Sequence, residues 1–283
     1  MKIKNLRTNF VNSLSEIYDS DEILSFFYIL SEDILGLTRV AIAINLDKKL
    51  SDNELFVFGD AIKKLQNQEP IQYIIGNTNF YGLSFHVDKQ VLIPRPETEE
   101  LVNWIIKDQE GILDSITILD IGTGSGCIAI SLAKNLTKAI VYAIDVSEEA
   151  IKIAKKNAKK NQVSITFIHL DILEVKELPE NFDIIVSNPP YVRELEKQEM
   201  KPNVLDNEPS LALFVQDNNP LIFYEKITGL AKRKLKQKGK LYFEINQYLA
   251  LETKNMILDI GFNIVEVRKD LYGNERMICA YFG

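Results

Sequence analysis

The sequence is poor in the residues that build metal centres and disulfide scaffolds. Its 283 residues include only two cysteines and two histidines. Cys127 and Cys279 lie far apart and form no Cys-x-x-Cys pair, so the sequence indicates neither a disulfide framework nor a zinc site. We therefore expect no bound metal ion, and this cysteine usage is typical of a reducing compartment.

Long apolar runs and an excess of positive charge are also missing. The longest apolar runs, such as residues 26–30, are far too short to span a bilayer, and the polar N-terminus lacks the apolar core of a secretory signal. We expect a cytoplasmic protein without a membrane partner. The net charge of -7 and the pI of about 5.1 disfavour nucleic acid as a partner, because phosphate neutralisation supplies most non-specific affinity.

Apolar residues are plentiful, and their periodicity changes along the chain. The hydrophobic fraction of 46% suffices for a substantial core. In residues 1–76, apolar side chains recur at three- and four-residue spacing, and Ser51 with Glu54 forms a capping-box pattern. These residues contain no catalytic cluster. We predict a small helical domain that recognises a substrate.

Residues 77–95 are rich in strand formers around Gly82 and predict a β-hairpin that links two domains. Residues 96–283 alternate between strand and helix patterns, which predicts a mostly parallel sheet covered by helices on both faces. The fold class is therefore α/β, a Rossmann-like domain preceded by a small helical domain and a hairpin linker. The predicted strands are 116–121, 140–144, 165–170, 182–187 and 240–245, and an antiparallel C-terminal hairpin at 263–268 and 276–282. The predicted helices between the parallel strands are 128–135, 148–161 and 221–237.

A glycine-rich loop, residues 120–126, follows the first of these strands. Glycines allow a tight turn and a close approach of backbone to ligand. The Gly-x-Gly-x-Gly spacing differs from that of dinucleotide folds, and Asp120 would repel a pyrophosphate but attract the ammonium and sulfonium of S-adenosylmethionine. A structural turn without a ligand is the alternative. The candidate cofactor-binding residues are Gly122, Thr123, Gly124, Ser125 and Gly126.

Acidic residues follow the next two predicted strands. Asp145 ends the second strand, where a carboxylate can accept hydrogen bonds from both ribose hydroxyls of a nucleoside. A helix cap is the alternative role for Asp145. Asp171 and Ile172 follow the third strand and are candidates to border an adenine. Together with the glycine loop, these residues favour a nucleoside-binding site.

The segment Asn188-Pro189-Pro190-Tyr191 follows the fourth strand, at the edge of the sheet where ligands bind. Prolines hold the chain extended and leave their carbonyl groups free to accept hydrogen bonds. The Asn188 side-chain oxygen and the Pro189 carbonyl are placed to hold the two hydrogens of an NH2 group, and Tyr191 to stack on its planar carrier. An amide nitrogen is a poor nucleophile, so its positioning supplies much of the rate. We predict that these four residues are catalytic, with Asn188 also bordering the cofactor; an ordinary turn is the alternative.

Several longer motifs are similar to those of a known family. Besides the Asn-Pro-Pro-Tyr segment, they are Gln-Tyr-Ile-Ile-Gly at 72–76, Leu-Ile-Pro-Arg-Pro-Glu-Thr-Glu at 92–99, and Asn-Glu-Pro at 207–209. Across roughly residues 65–283 the chain resembles the release-factor glutamine methyltransferases of the PrmC/HemK type, which are class I S-adenosylmethionine-dependent methyltransferases.

The resemblance implies a helical domain at 1–76, a hairpin linker at 77–95 and a methyltransferase domain at 96–283. It implies N5-methylation of the glutamine in the Gly-Gly-Gln loop of a peptide chain release factor, with S-adenosylmethionine as cofactor and the release factor as protein partner. For Arg95 and Glu97 we expect a role in domain orientation or in the wall of the pocket. Nothing demands an oligomer, so we expect a monomer.

The chain departs from the family pattern at three places. Relatives often carry an aromatic residue at the position of Ile172, which puts its adenine contact in question. Residues 215–220 replace a glycine-rich stretch, and Asn246 stands where glycine is usual. We expect the latter two departures to lie away from the Asn-Pro-Pro-Tyr segment.

Three other functions compete with this interpretation. A nucleic-acid amino-methyltransferase would use the same Asn-Pro-Pro-Tyr segment, but the acidic composition opposes it. A non-catalytic nucleotide-binding protein would not need a segment that holds an NH2 group. A nicotinamide-dependent oxidoreductase is disfavoured by the glycine spacing and by Asp120.

Overall fold

The computed structural model describes residues 1–111 and 114–283. The chain divides into a first unit, Met1–Gly76 with Lys201–Asn207, and a second unit, Asn77–Met200 with Glu208–Gly283. The predicted domain boundaries did not include the return of residues 201–207 to the first unit. The hairpin expected to be a linker lies within the second unit.

Several helices of the first unit begin or end at residues with clear capping chemistry. Ser51 and Glu54 form the predicted capping box, in which each side chain accepts a hydrogen bond from the other residue's N–H, at 3.2 and 2.6 Å. Gly36 ends the second helix in the left-handed conformation. The apolar faces meet in a core around Phe27 and Phe58. The helices are α1 (Ile3–Leu14), α2 (Ser20–Leu35), α3 (Arg39–Ile44), α4 (Asp52–Gln66) and α5 (Ile71–Ile75).

The second unit begins with the hairpin of β1 (Asn77–Phe80) and β2 (Leu83–His86), and a seven-stranded sheet follows in the described part of the chain. Its strands are β3 (Thr117–Ile121), β4 (Ile140–Asp145), β5 (Thr166–His169), β6 (Phe182–Ser187), β9 (Leu235–Glu244), β10 (Ile264–Lys269) and β11 (Glu275–Tyr281). A separate short ladder pairs β7 (Val192–Arg193) with β8 (Phe214–Val215). The order is β10-β11-β9-β6-β3-β4-β5, parallel except for β11, which is antiparallel to both neighbours.

Helices cover both faces of the sheet, as the alternating pattern predicts. They are α6 (Pro96–Asp108), α7 (Cys127–Asn135), α8 (Glu148–Lys160), α11 (Ile222–Lys234) and α12 (Ala250–Ile260). The second unit also contains the short α10 (Ser210–Leu213), and α9 (Pro202–Leu205) belongs to the first unit. One apolar cluster joins α11 and α12 to one face of the sheet, and a second joins α6, α7 and the hairpin to the other. Within the described residues, no helix combines the length and apolar character needed to cross a bilayer.

The prediction of β9 and the helix before it was wrong in its boundaries. The helix was expected to reach residue 237 and the strand to begin at 240, but α11 ends at Lys234 and β9 begins at Leu235. Leu235 pairs with Phe182, and the register shifts along β6. The polar residues 236–238 resemble a helix end by composition, so tertiary pairing overrides local propensity here.

The hairpin prediction was too long. Its strands end at His86, although Val87, Val91 and Ile93 are as buried as strand residues would be. Residues 87–95 are not in a strand, and part of this segment lines a cavity described below. Apolar periodicity reports burial, and here burial comes from packing outside a sheet.

The strand order places the chemistry-bearing loops together. β4 and β5 follow β3 on one side, whereas β6 returns to the other side of β3. The loops after β3 and β6 therefore leave the sheet in opposite directions, and the gap between them is the switch point at which open α/β sheets bind ligands. The Ser187 hydroxyl donates to the Ile121 carbonyl at 2.7 Å and ties these two strand ends together.

Candidate active site

A cavity of about 340 Å³ lies at this edge of the sheet. Such a volume falls within the range of small-molecule and cofactor sites. Its walls come from the ends of β3, β4 and β6, from the 90–92 segment and from residues around α10. The lining residues include Gly122, Gly124, Ile144, Asp145, Asp171, Ile172, Asn188, Pro189 and Pro190, together with Val91, Leu92, Pro209 and Leu211.

The glycines of the 120–126 loop have different surroundings. Gly122 and Gly124 line the cavity with φ of +73° and +54°, and a Cβ on Gly124 would meet no atom within 4 Å. Gly126 caps α7 with φ +84°, and a Cβ there would lie 2.8 Å from Ile130 Cδ1 and 3.2 Å from Ala154 Cβ. Two glycines thus keep the cavity open, and the third allows the helices to pack.

The remaining loop residues lie behind the cavity wall. Thr123 and Ser125 are buried, and neither they nor Gly126 belong to the described residues that line the cavity. Asp120 is fully buried and accepts hydrogen bonds from the Thr123 hydroxyl at 2.6 Å and the Ala129 N–H at 3.3 Å. Burial raises the pKa of Asp120 to about 7, against the lowering effect of these two donors. Its attraction for a bound cation stays a prediction.

Asp145 lies in the cavity wall with its carboxylate held in place. Its two oxygens accept from the Gly124 N–H at 2.8 Å and the Ser147 N–H at 2.9 Å. Burial raises the pKa of Asp145, while these backbone donors lower it. Ser147, and not Asp145, caps α8 through the Ala150 N–H, so the helix-cap alternative for Asp145 is wrong. A carboxylate has about four acceptor sites, so Asp145 keeps acceptor capacity for a ligand's hydroxyl groups.

Asp171 and Ile172 both line the cavity, as expected of residues that border a nucleoside base. Asp171 Oδ1 accepts from the Leu173 N–H at 2.9 Å, which fixes the turn after β5. Ile172 is also part of the apolar core, so it offers an aliphatic surface at the position where relatives often carry an aromatic residue.

The Asn-Pro-Pro-Tyr segment is divided between cavity and core. Asn188, Pro189 and Pro190 line the cavity, and a Cβ on Gly122 would lie 4.0 Å from the Asn188 carbonyl oxygen. The glycine loop and this segment therefore meet at one point. Tyr191 is not among the described cavity-lining residues, and its hydroxyl donates to Glu244 Oε1 at 3.0 Å. Stacking of Tyr191 on a substrate stays a prediction.

Glu244, at the end of β9, is a buried carboxylate directly behind this segment. It accepts from the Tyr191 hydroxyl and, at 2.6 Å, from the Thr98 hydroxyl, and Asn188 Nδ2 donates to Thr98 Oγ1 at 3.3 Å. Burial raises the pKa of Glu244, and the hydrogen bonds from Thr98 and Tyr191 and the charge of Arg276 lower it. Sequence inspection missed this network, because strand position alone does not reveal which buried acid meets which loop.

Asn246 contradicts the expectation that departures from the family pattern lie away from the Asn-Pro-Pro-Tyr segment. Its side-chain nitrogen donates to the Tyr191 carbonyl at 3.0 Å and to the Glu196 carboxylate at 2.9 Å. The other departure is also close, since Val215 pairs with Arg193, two residues after Tyr191. Both expectations were wrong because these loops fold back onto the segment.

Two further polar residues hold segments beside and behind the cavity wall. Glu208, almost fully buried, accepts from Arg95 Nη2 at 2.6 Å and from the Ile93 N–H at 3.3 Å, so Arg95 does support a pocket wall. Asn157 donates to the carbonyls of Ser125 and His86, both at 2.9 Å. An Asn at a buried position of the amphipathic α8 is the signal that would have identified it.

Comparisons with known proteins agree with this geometry. Residues 98–209 match the family described as Methyltransferase small domain, and residues 5–76 match the family described as PrmC N-terminal domain. The chain is 55% identical to the release factor glutamine methyltransferase of Flavobacterium psychrophilum, over 100% of both chains. It is 46% identical to the protein of the same name from Bacteroides thetaiotaomicron, over 95% of this chain and 96% of that one.

Solved structures share the fold at low sequence identity. The hMettl16 catalytic domain, solved with an RNA hairpin, has a TM-score of 0.58 at 19% identity and covers 84% of this chain and 86% of its own. A Thermus thermophilus 16S rRNA methyltransferase, RsmC, solved with AdoMet and guanosine, has a TM-score of 0.52 at 17% identity and covers 73% of this chain and 50% of its own. These two similarities establish the fold class that the sequence predicts.

Proposed function

The chain belongs to the release factor glutamine methyltransferase family, and on this premise we propose that it methylates the side-chain amide nitrogen, N5, of the glutamine in a release factor's Gly-Gly-Gln loop. The methyl donor is S-adenosylmethionine. The observation that carries the proposal is the junction in one cavity of the glycine loop and Asn188, where a Cβ on Gly122 would lie 4.0 Å from the Asn188 carbonyl oxygen. Donor and acceptor sites therefore share a wall.

The residues of the cavity fit S-adenosylmethionine. Gly122 and Gly124 leave room for a ligand against the backbone, and Asp145 retains acceptor sites for a ribose diol. Ile144 and Ile172 supply apolar surface for a base. When bound, this cofactor supplies an electrophilic methyl group on a sulfonium. The protein's task is to hold the two reactants in line and to keep water away.

The acceptor half of the site suits a primary amide. In a glutamine amide the nitrogen lone pair is delocalised, so the nitrogen must be presented in a fixed orientation. We assign the Asn188 side-chain oxygen and the Pro189 carbonyl to accept its two hydrogens, which points the nitrogen toward the methyl donor. Such preorganised acceptors cost no reorganisation at the moment of reaction. Pro190, which has no N–H, leaves the wall without a competing backbone donor.

We assign recognition of the protein substrate to the first unit and chemistry to the second. The first unit has its own apolar core and contributes none of the residues that line the described cavity. The family name implies a release factor as partner, and for the enzyme itself we propose a monomer.

A methyl-transfer assay with labelled S-adenosylmethionine tests the proposal. The acceptors are a purified release factor, its variant in which the Gly-Gly-Gln glutamine is alanine, and bulk DNA and RNA. We expect label on the normal factor and none on the variant. Label on nucleic acid alone would keep the cofactor and overturn the substrate in favour of a nucleic-acid amino-methyltransferase.

A further inference from the structure

The hydrogen bonds behind Asn188 have a defined direction. Glu244 is 1% exposed and Thr98 is 2% exposed, so both groups are shielded from water. The Thr98 hydroxyl donates to Glu244 Oε2 at 2.6 Å, and Asn188 Nδ2 donates to Thr98 Oγ1 at 3.3 Å. The chain Asn188–Thr98–Glu244 joins the cavity wall to α6 and to the end of β9.

The chemistry of the end group determines this direction. Each oxygen of the Glu244 carboxyl group accepts a hydroxyl hydrogen, and a hydroxyl has only one hydrogen to donate. Thr98 gives that hydrogen to Glu244, so its oxygen can only accept from its other neighbour. Asn188 must then turn its NH2 toward Thr98. Tyr191 donates to the other oxygen of Glu244 at 3.0 Å, so the carboxylate accepts a hydroxyl on each side.

We propose that Thr98 and Glu244 are positioning residues that fix the flip state of the Asn188 side chain. Because the NH2 group of Asn188 donates to Thr98, the amide oxygen Oδ1 of Asn188 is left for the substrate. Among residues 1–111 and 114–283, no group donates a hydrogen bond to this oxygen. The inference rests on the proposed function, in which Oδ1 accepts a hydrogen of the substrate amide. In the opposite orientation, the NH2 group of Asn188 would face the NH2 group of the substrate amide. Two donors would then meet, and the substrate amide would be repelled.

Thr98 offers a pair of substitutions that separate this role from packing. Thr98→Val keeps the volume of the side chain and removes the hydroxyl, so either end of Asn188 can face the cavity. Thr98→Ser keeps the hydroxyl and removes a methyl group. Thr253→Val is the matched control, because Thr253 is equally buried in the same unit and its hydroxyl donates to the Leu249 carbonyl at 2.7 Å.

Steady-state kinetics with a release factor and calorimetry with S-adenosylmethionine measure the effect. For Thr98→Val we expect kcat to fall about ten- to a hundredfold, the usual range for a misplaced reacting group, with KM for the factor and cofactor affinity within about threefold. Thr98→Ser and Thr253→Val should keep kcat within about threefold. A Thr98→Val enzyme with near-normal kcat, or a Thr98→Ser enzyme that is equally impaired, would overturn the positioning role.

A readout without turnover separates this inference from the proposed function. In protein labelled with ¹⁵N-asparagine, the Asn188 side-chain NH2 resonances, assigned by their loss in Asn188→Asp, should shift in Thr98→Val and stay in place in Thr98→Ser. If wild-type enzyme does not label the release factor while these shifts occur, the substrate is wrong and the fixed amide stands. If the factor is labelled but the resonances do not move, the amide is held by other means and the inference fails.

Discussion

Gly124 and Gly126, two positions apart in one loop, should respond differently to alanine substitution: one change mainly lowers stability, and the other mainly lowers cofactor affinity. At Gly126 a left-handed backbone conformation costs an alanine about 1–2 kcal/mol. The new methyl group would also press on Ile130 Cδ1 at 2.8 Å and Ala154 Cβ at 3.2 Å, and overpacking of this kind costs about 1–3 kcal/mol. Restriction of the unfolded chain returns about 0.4–1 kcal/mol. Gly126→Ala should therefore destabilise the second unit by about 1–5 kcal/mol, the sum of the two costs minus the gain from the unfolded chain.

Gly124→Ala incurs only the backbone cost, because its Cβ would meet no atom within 4 Å. We expect a loss of about 1 kcal/mol in stability. Its methyl group would instead narrow the cavity that Gly124 lines, and cofactor affinity should fall about tenfold, equivalent to about 1.4 kcal/mol. Gly273→Ala is the control for the backbone term, since Gly273 has φ +87° and no neighbour within 4 Å of its Cβ.

Urea denaturation measures stability, and titration calorimetry measures affinity. Trp104 is the single tryptophan of the chain and is buried against Tyr242 in the second unit, so its fluorescence reports on the unit that carries the loop. Equal losses of stability in Gly126→Ala and Gly124→Ala would refute the packing argument. A greater loss of cofactor affinity in Gly126→Ala, measured below its unfolding transition, would show that this glycine contacts the ligand after all.

Three other substitutions have distinct expected outcomes. Asn188→Ala should abolish methyl transfer in the labelled-cofactor assay and leave cofactor affinity within a few-fold, and near-normal turnover would exclude Asn188 from the reaction. Asp145→Ala should weaken cofactor binding by about 1–3 kcal/mol in calorimetry, the cost of unmade polar contacts, and unchanged affinity would remove it from the site. Burial raises the pKa of Asp120 to about 7, so the folded state keeps a proton that the unfolded state releases between roughly pH 4 and 7, and stability from this group falls as pH rises through that window. Asp120→Asn should make the free energy of unfolding fall less steeply with pH, by at most about 1.4 kcal/mol per pH unit, as measured by urea denaturation at several pH values. The same pH dependence in both proteins would contradict a raised pKa of Asp120.

The cavity could be predicted from sequence because its parts obey a local rule. In a parallel α/β sheet each strand ends at the same edge, so residues after successive strands converge without knowledge of distant contacts. Gly122, Asp145, Asp171 and Asn188 were found in this way, and all four line one cavity. The capping box at Ser51 is another local pattern that the structure confirms.

The supporting residues could not be predicted, because their partners are distant in sequence. Thr98 meets Glu244 across 146 positions, and Arg95 meets Glu208 across 113. Nothing in the periodicity of α6 or β9 states which buried polar group will find which partner. Asn246 is the clearest case, since its unusual identity was noticed but its contact with Tyr191 required the fold.

The return of residues 201–207 to the first unit has a consequence for dissection of the protein. The backbone passes between the units three times, near residues 76, 200 and 207, so a protease cut after Gly76 separates residues 1–76 from the 201–207 stretch of the same unit, which stays on the other fragment. An isolated 1–76 fragment would also lack Asn207, whose side chain donates to the Gln68 carbonyl at 3.2 Å. A chimera that exchanges the N-terminal unit for that of a relative therefore has to exchange two stretches of sequence, and a swap of residues 1–76 alone would leave the graft with a foreign α9.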